Sequence, residues 1–257
     1  MTEEYSTAQR SENCGPGSTV TGDKAPAGKK AAEIGAMFGS ITARYDFHNH
    51  LFSSGLDILW RRKLASFVCP GPKNAVLDIA AGTLDVTKAI LDRHKAVRVC
   101  AGDISEEMLR YGEKKISPAE RDRVDIRVMD ARSLPFENDS FDAVTMAFGI
   151  RNVTPREDAL KEALRVLAPG GRFCVLEFAP VDLPVLKTFY RIYLEKFMPA
   201  VAGLFGDPEP YRYLAKSIAE FPRPDDFKKE IESAGFPYVS HFPLTFGIAN
   251  LHVAIKA

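Results

Sequence analysis

Small and acidic residues follow the first two strands that the sequence predicts. The first strand leads into residues 78–85, where Ala80, Ala81 and Gly82 have side chains small enough for the backbone to approach a ligand closely. The helix that follows presents its N-terminus, which favours electronegative groups. About 20 residues later, Asp103 ends the second strand, where a carboxylate can accept hydrogen bonds from both hydroxyls of a ribose. The spacing of the two features favours one shared nucleoside site.

The third predicted strand also ends in an acidic residue. Asp130 is followed by Ala131, a pair suited to the amino group and the flat face of an adenine. Ordinary structural roles stay open, since the first loop could be a tight turn and Asp103 could cap a helix, although Ser105 is an equally good cap. NAD would satisfy much of this pattern, but its pyrophosphate favours G-x-G-x-x-G, and this loop has one glycine. The three strand ends therefore indicate one nucleoside rather than a dinucleotide.

Short apolar runs alternate with helical segments through the middle of the chain. We predict strands at 75–79, 97–102, 124–129, 141–148 and 172–178, helices at 84–94, 105–116 and 155–167, and two final strands at 238–244 and 248–255. Strands that alternate with helices form parallel β-α-β units with right-handed crossovers. We therefore expect a doubly wound, mostly parallel seven-stranded sheet with helices on both faces, an antiparallel last strand, and a ligand beyond the carboxyl ends of the strands.

The segments outside this alternation have different compositions. Residues 1–30 have few large apolar side chains, which predicts a disordered tail, and residues 31–257 are predicted to form one domain. Helical spacing of apolar residues predicts N-terminal helices over 31–70 and a helical insertion over 181–235, before the last two strands. The apolar stripe of that insertion favours packing on the domain, with a lid over a lipophilic substrate or a membrane-facing surface as the alternatives.

Composition excludes several classes of site. The chain has 257 residues, with 34 Lys and Arg against 34 Asp and Glu, so no global field recruits nucleic acid or an anionic membrane. Its four cysteines are widely separated and indicate neither a disulfide framework nor a zinc site, and we expect no bound metal. The longest stretch without charged side chains, 235–255, is interrupted by prolines and polar residues, so we expect no transmembrane helix and a soluble or peripheral protein. The isolated cysteines indicate reduced thiols and a cytoplasmic location.

Several segments from Met37 to the C-terminus are more specific than these patterns. The most specific are Phe148-Gly149-Ile150-Arg151-Asn152-Val153 and Tyr211-Arg212-Tyr213-Leu214, and they are accompanied by Leu244-Thr245-Phe246-Gly247-Ile248 with His252 and by the more widespread Pro169-Gly170-Gly171. With them the sequence resembles class I S-adenosylmethionine-dependent methyltransferases, and specifically the UbiE/MenG family of ubiquinone and menaquinone C-methyltransferases. The resemblance implies a Rossmann-like class I methyltransferase fold and C-methylation of a quinol ring, such as demethylmenaquinol to menaquinol or the equivalent ubiquinone precursor.

The resemblance also implies which residues form the site. Residues expected to bind S-adenosylmethionine, and its product S-adenosylhomocysteine, are Asp78, Ala80, Gly82, Thr83, Asp103, Ile104, Asp130, Ala131 and Ala147. Two residues depart from the family loop D-x-A-G-G-T-G-D, because Ala81 and Leu84 replace glycines. From this we expect Leu84 to crowd the methionine end of the cofactor.

Methyl transfer to a hydroquinone carbon requires loss of a hydroxyl proton, so a base or an oxyanion-stabilising group is needed. The catalytic candidates are Arg151, Asn152 and Asp46, and the substrate-side candidates are Tyr211, Tyr213 and His252. Arg151 stays protonated, so we expect it to stabilise a phenolate or orient a water, with a structural salt bridge as the alternative. A structural role is favoured for His252.

The expected partner is therefore a lipophilic quinol and not nucleic acid. Contact with the inner face of the membrane and a homodimer stay open. Two other functions also stay open: a methyltransferase for another small aromatic or lipophilic acceptor, and a non-catalytic quinone-binding or scaffold member of the family.

Overall fold

The computed structural model describes residues 53, 55–181, 188, 190–198, 203 and 209–257. The predicted N-terminal tail, Asp46 and much of the predicted helical stripe lie outside these residues. The described helices are α1 (Leu56–Phe67), α2 (Asp85–Arg93), α3 (Glu106–Glu113), α4 (Arg156–Val166), α5 (Glu209–Glu220) and α6 (Pro224–Ser233). The strands are β1 (Ala75–Ile79), β2 (Arg98–Asp103), β3 (Val124–Val128), β4 (Phe141–Ala147), β5 (Leu167–Phe178), β6 (Tyr238–Leu244) and β7 (Ala249–Ile255). Short 3-10 turns lie at Pro118–Arg123, Ile150–Asn152 and Thr245–Gly247, and a π-helical turn at Tyr193–Phe197.

The seven strands form one sheet in the order β3-β2-β1-β4-β5-β7-β6. The first five strands pair in parallel, and β7 runs antiparallel between β5 and β6. The order in which strands are added reverses at β1. The chain adds β2 and β3 on one side of β1 and then β4 and β5 on the other side. In open α/β sheets, ligands bind at such a point, outside the carboxyl ends of the strands. The predicted fold class is confirmed.

Two apolar layers cover the sheet. In one layer, residues of α4 and α6 pack on β4 and β5. This layer includes Phe173 of β5 and Phe236, whose rings stack with 5.7 Å between centroids. The other contains residues of α1, α2 and α3 packed on the opposite face, with Leu64, Ile90 and Leu109 fully buried. Burying apolar surface on both faces is what favours this three-layer arrangement of parallel strands. Helices are therefore present on both faces, as predicted.

The strand bounds differ from prediction most clearly in β5. This strand begins at Leu167 rather than at residue 172. Leu167 pairs with Phe141 of β4, and two backbone hydrogen bonds hold the Pro-Gly-Gly segment that follows: Gly170 N donates to Lys256 O and Lys256 N donates to Gly171 O, both at 3.0 Å. Glycines disfavour a strand when taken alone, so the pairing partner decides the conformation here.

No helix among the described residues is long and apolar enough to cross a membrane.

Candidate active site

A cleft opens beyond the carboxyl ends of β1, β2, β3 and β4. Its walls come from the ends of these strands and the loops that follow them, and from residues of α1, α2 and α3, including Arg61, Val86 and Met108. Nine of the sequence-predicted site residues line it: Ala80, Gly82, Thr83, Asp103, Ile104, Asp130, Ala131, Ala147 and Asn152. The cleft therefore lies where the strand order predicts a ligand site.

Asp103 ties the first two loops of the cleft together. Its Oδ2 accepts a hydrogen bond from Gly82 N at 2.9 Å, and its Oδ1 accepts one from Ser105 N at 2.9 Å. Burial raises the pKa of this carboxyl, against the effect of these backbone hydrogen bonds. Ser105 itself caps α3, accepting a hydrogen bond from Met108 N. Each carboxylate oxygen retains further acceptor capacity toward the cleft.

Asp78 does not line the cleft, although the sequence placed it among the cofactor-binding residues. It is buried within the sheet, where Oδ2 accepts a hydrogen bond from Thr87 Oγ1 and Oδ1 accepts one from Thr145 Oγ1, both at 2.7 Å. Burial raises its pKa to about 6. The carboxylate thus joins β1 to α2 and β4, and it acts below the loop rather than in the cleft.

Leu84 also lies outside the cleft lining. Its backbone is left-handed, with φ +64°, and its side chain is fully buried in the apolar layer on the α1 face. Gly112 of α3 makes room for it, because a Cβ on Gly112 would lie 2.6 Å from Leu84 Cγ and 2.5 Å from the Thr83 carbonyl carbon. The expected crowding of the methionine end by Leu84 is therefore a wrong prediction, since the side chain turns into the core.

Asp130 is held by Arg132, a residue that the sequence reasoning did not select. Asp130 Oδ2 accepts from Arg132 Nη2 at 2.6 Å, and Arg132 Nη1 donates to the Thr154 carbonyl at 3.0 Å. Burial acts to raise the pKa of Asp130, but the bonds with Arg132 outweigh it and hold the pKa below its ordinary value. This pair links the loops that follow β3 and β4. An opposite charge two residues after the selected aspartate was the available signal.

Arg151 is buried in an ion pair and does not line the cleft. Its Nη1 lies 2.8 Å from Glu177 Oε1 and also donates to the Phe148 carbonyl. Glu177 is fully buried and accepts hydrogen bonds from the backbone N–H groups of Arg151 at 3.3 Å and Phe178 at 2.9 Å. This is the structural salt bridge that the sequence analysis left as an alternative. The pair fixes the ends of β4 and β5 beside the cleft.

Asn152 lines the cleft and connects it to the helical cover. Its Oδ1 accepts a hydrogen bond from Tyr213 Oη of α5 at 3.1 Å. Burial raises the pKa of this tyrosine, so its hydroxyl stays protonated as the donor. With Oδ1 engaged, the donor that Asn152 can offer to a ligand is Nδ2. Tyr211 is buried in a separate apolar cluster with Leu194 and Met198 and does not reach the cleft.

His252 lies away from the cleft, in the middle of β7. Its Nε2 is 3.0 Å from the Pro224 carbonyl oxygen, and its ring stacks on His241 with 5.5 Å between centroids. Burial lowers its pKa to about 4, so the ring is neutral near neutral pH. The structure therefore gives His252 the structural position that the sequence analysis favoured, and it does not line the cleft.

Aromatic rings form the remaining wall near Asn152. Phe148 lines the cleft, stacks on Phe178 with 4.5 Å between centroids, and contacts Trp60 of α1 at 6.3 Å. The Arg61 guanidinium lies 5.3 Å from the Phe148 ring centre and also pairs with Asp57. Sequence reasoning missed both Arg61 and Phe148 as lining residues. The four-residue spacing of Asp57 and Arg61 was the available signal.

Comparison with known proteins decides the family. Residues 27–256 match the model of the ubiE/COQ5 methyltransferase family. The chain belongs to this family. Among its relatives, the ubiquinone/menaquinone biosynthesis C-methyltransferase UbiE of Geotalea daltonii is 39% identical over 230 residues, which cover 89% of this chain and 98% of that one. UbiE of Cereibacter sphaeroides (strain ATCC 17029 / ATH 2.4.9) is 38% identical over 233 residues, 90% of this chain and 93% of the relative.

Solved structures support the same fold at lower identity. An S-adenosylmethionine-dependent methyltransferase from Thermotoga maritima, described as a possible histamine N-methyltransferase, has a TM-score of 0.62 at 19% identity. The match covers 87% of this chain and 100% of that one. Human N-acetylserotonin methyltransferase in complex with S-adenosylmethionine has a TM-score of 0.57 at 15% identity, covering 86% of this chain and 58% of its own. The predicted family, class I methyltransferase fold and methyl donor are confirmed by these comparisons taken together.

Proposed function

We propose that this chain transfers a methyl group from S-adenosylmethionine to a ring carbon of a quinol, either demethylmenaquinol or the equivalent ubiquinone precursor. S-adenosylhomocysteine is released, and the hydrogen of that ring carbon leaves as a proton. The observation that carries the proposal is the extent of the similarity, since relatives named for this reaction are 38–40% identical over about nine tenths of the chain. The family-specific segment 148–153 also contributes Phe148, Gly149, Asn152 and Val153 to the wall of the cleft.

The residues of the cleft fit this methyl donor. Carboxylates lie at two neighbouring strand ends, with Asp103 the last residue of β2 and Asp130 two residues after β3, and Ile104 and Met129 line the space with apolar surface. Diol hydroxyls are donors that suit Asp103, and a flat adenine suits the apolar residues. Gly149 brings the β4 loop close to the β1 loop, because a Cβ there would lie 2.5 Å from Ala80 Cβ. We assign Ala80, Gly82 and Thr83 to the methionine end.

S-adenosylmethionine supplies an electrophilic methyl on its sulfonium. The protein's part is to hold the acceptor ring in line with it and to exclude water, and orientation of this kind contributes about 7–11 kcal/mol in favourable cases. Phe148, with Phe178 and Trp60 packed behind it, gives the cleft an apolar wall on which a ring can lie.

At the acceptor end we assign the contact with the quinol oxygen to Asn152. Its Nδ2 can donate a hydrogen bond to a phenolate oxygen, which stabilises the charge that develops when the hydroxyl proton leaves. Tyr213 holds the amide in that orientation through the bond to Oδ1. Arg151 acts as a positioning residue, because it donates to the Phe148 carbonyl at the end of β4 and pairs with Glu177 of β5.

The test uses purified protein, methyl-labelled S-adenosylmethionine and demethylmenaquinone, supplied either reduced or oxidised. We expect label to enter a carbon–methyl group of the reduced substrate alone, because only the quinol ring can become nucleophilic by losing a proton. Asn152→Ala should lower the rate at saturating cofactor, whereas Asn138→Ala, a control outside the cleft, should leave it unchanged. Labelling of an oxygen, or transfer to the oxidised ring at the same rate, would contradict the proposed reaction.

A further inference from the structure

Exposed apolar side chains gather on the outer side of α1 and the end of β6. Leu59 is 57% exposed, Phe242 37% and Phe246 77%. Two contacts bring these elements together: Trp60 Nε1 donates to Thr245 Oγ1 at 2.9 Å, and the Phe67 ring lies 4.8 Å from that of Phe242. We call the group formed by Leu59, Lys63, Phe67, Phe242 and Phe246 the α1–β6 patch.

The backbone at the tip of this patch is strained. Thr245 and Phe246 have φ values of +46° and +58°, in the left-handed region, where a non-glycine residue costs about 1–2 kcal/mol. Two hydrogen bonds hold the turn, from Ile248 N to Thr245 O at 3.2 Å and from Asn250 Nδ2 to Gly247 O at 3.0 Å. With most of its surface in water, the Phe246 ring gains little from folding.

The charged groups within the segments that form the patch are basic. Arg62 and Lys63 are exposed on α1, and Lys63 Nζ lies 5.3 Å from the centre of the Phe67 ring. Arg172 of β5 reaches the same end of the helix and donates to the Phe67 carbonyl at 3.3 Å. Residues 58–69 and 235–255, which include the patch, contain no Asp or Glu. Apolar rings flanked by lysine and arginine suit an anionic lipid surface.

The patch is continuous with the wall of the cleft. Trp60, next to Leu59, contacts Phe148, which lines the cleft, and Arg61 of the same helix also lines it. Helix α1 therefore has one side on the patch and the other at the cleft. We propose that the α1–β6 patch docks on an anionic lipid bilayer, with Phe246 and Leu59 inserted at the interface. This deepens the proposed function, since it brings the cleft to the membrane that dissolves a lipophilic quinol, but bilayer binding itself does not depend on that function.

The test is sedimentation of the full chain with vesicles, without cofactor or quinol, so that a failed methylation assay leaves its result unaffected. Vesicles are made of phosphatidylcholine alone or of phosphatidylcholine with phosphatidylglycerol. We expect binding to the anionic vesicles, weakened about tenfold or more in Phe246→Ser with Leu59→Ser, and roughly 30-fold in Lys63→Glu, because charge reversal removes one attraction and adds one repulsion. Added salt should weaken the wild-type binding.

A control variant and a second measurement separate the alternatives. Lys161→Glu reverses an exposed charge on α4, which packs on the opposite face of the sheet. It should bind as the wild type does. An equal loss in this control, or no binding to anionic vesicles, would overturn the proposal. So would a dimer, found by light scattering of the wild type in solution, that Phe246→Ser dissociates, because the patch would then be covered by a second copy.

Discussion

Replacing Arg151 by methionine should destabilise the protein strongly, because it leaves the Glu177 carboxylate buried without its cation. The two side chains are 2% and 0% exposed and 2.8 Å apart. Breaking a buried ion pair by removing one partner costs about 3–5 kcal/mol. The carboxylate would keep the backbone N–H bonds at positions 151 and 178. We therefore expect a loss near the lower end, about 3 kcal/mol in the free energy of unfolding.

A matched pair elsewhere in the chain provides the control. Arg156 and Glu230 form an ion pair with two hydrogen bonds, at 2.9 and 2.8 Å, but their side chains are 30% and 36% exposed. Arg156→Met should cost less than about 1 kcal/mol, because solvent screens such a pair. The measurement is urea unfolding followed by circular dichroism.

Replacing Glu177 by a neutral residue tests whether its unpaired charge is what destabilises Arg151→Met. The double variant Arg151→Met with Glu177→Gln should be more stable than Arg151→Met alone, because an amide is cheaper to bury than an unpaired carboxylate. If Arg151→Met lowers the free energy of unfolding no more than Arg156→Met does, burial does not set the cost of losing the cation.

Three further outcomes follow from other contacts. Leu84→Gly, which restores the family's usual residue, should lower stability by about 1–3 kcal/mol in urea unfolding, since loss of a buried leucine outweighs relief of the left-handed strain; a stabilised variant would contradict this. Tyr213→Phe should lower the turnover number several-fold and leave cofactor affinity in calorimetry unchanged, because it frees the Asn152 amide; an equal effect on both would contradict its placement at the acceptor end. Burial lowers the pKa of His252 to about 4, so as the pH falls the unfolded chain binds the proton before the folded protein does. The free energy of unfolding should therefore fall between about pH 6.5 and pH 4, by up to about 3 kcal/mol. His252→Gln should flatten this part of the pH profile in urea unfolding. An unchanged profile in that variant would assign the slope to other groups.

The alternation of apolar strands with helices was sufficient to predict the sheet, because period and segment length depend on local sequence. The strands Ala75–Ile79 and Tyr238–Leu244 have the predicted bounds. β5 does not, since Leu167 pairs with Phe141 of β4 and the two glycines that follow are hydrogen-bonded to Lys256, partners that no local pattern identifies. Pairing across the sheet was thus the part of the fold that sequence reasoning lacked.

In the candidate site, too, local sequence predicts some features and not others. Strand ends can be found from sequence, and the residues that follow them, including Asp103 and Asp130, line the cleft. The sequence does not show whether a side chain in such a strand or loop points into the cleft or into the core. Asp78 points to Thr87 and Thr145, and Leu84 turns into the core through a left-handed backbone and the space at Gly112. These outcomes depend on contacts between elements that are distant in sequence.

Calorimetric titration with S-adenosylmethionine and S-adenosylhomocysteine tests most directly that the cleft beyond β1 to β4 holds the methyl donor. We predict binding of both by the wild type, loss of binding in Asp103→Ala, and unchanged binding in Asp92→Ala, which removes an exposed carboxylate of α2. Absence of binding by the wild type, or full affinity in Asp103→Ala, would contradict this account of the site.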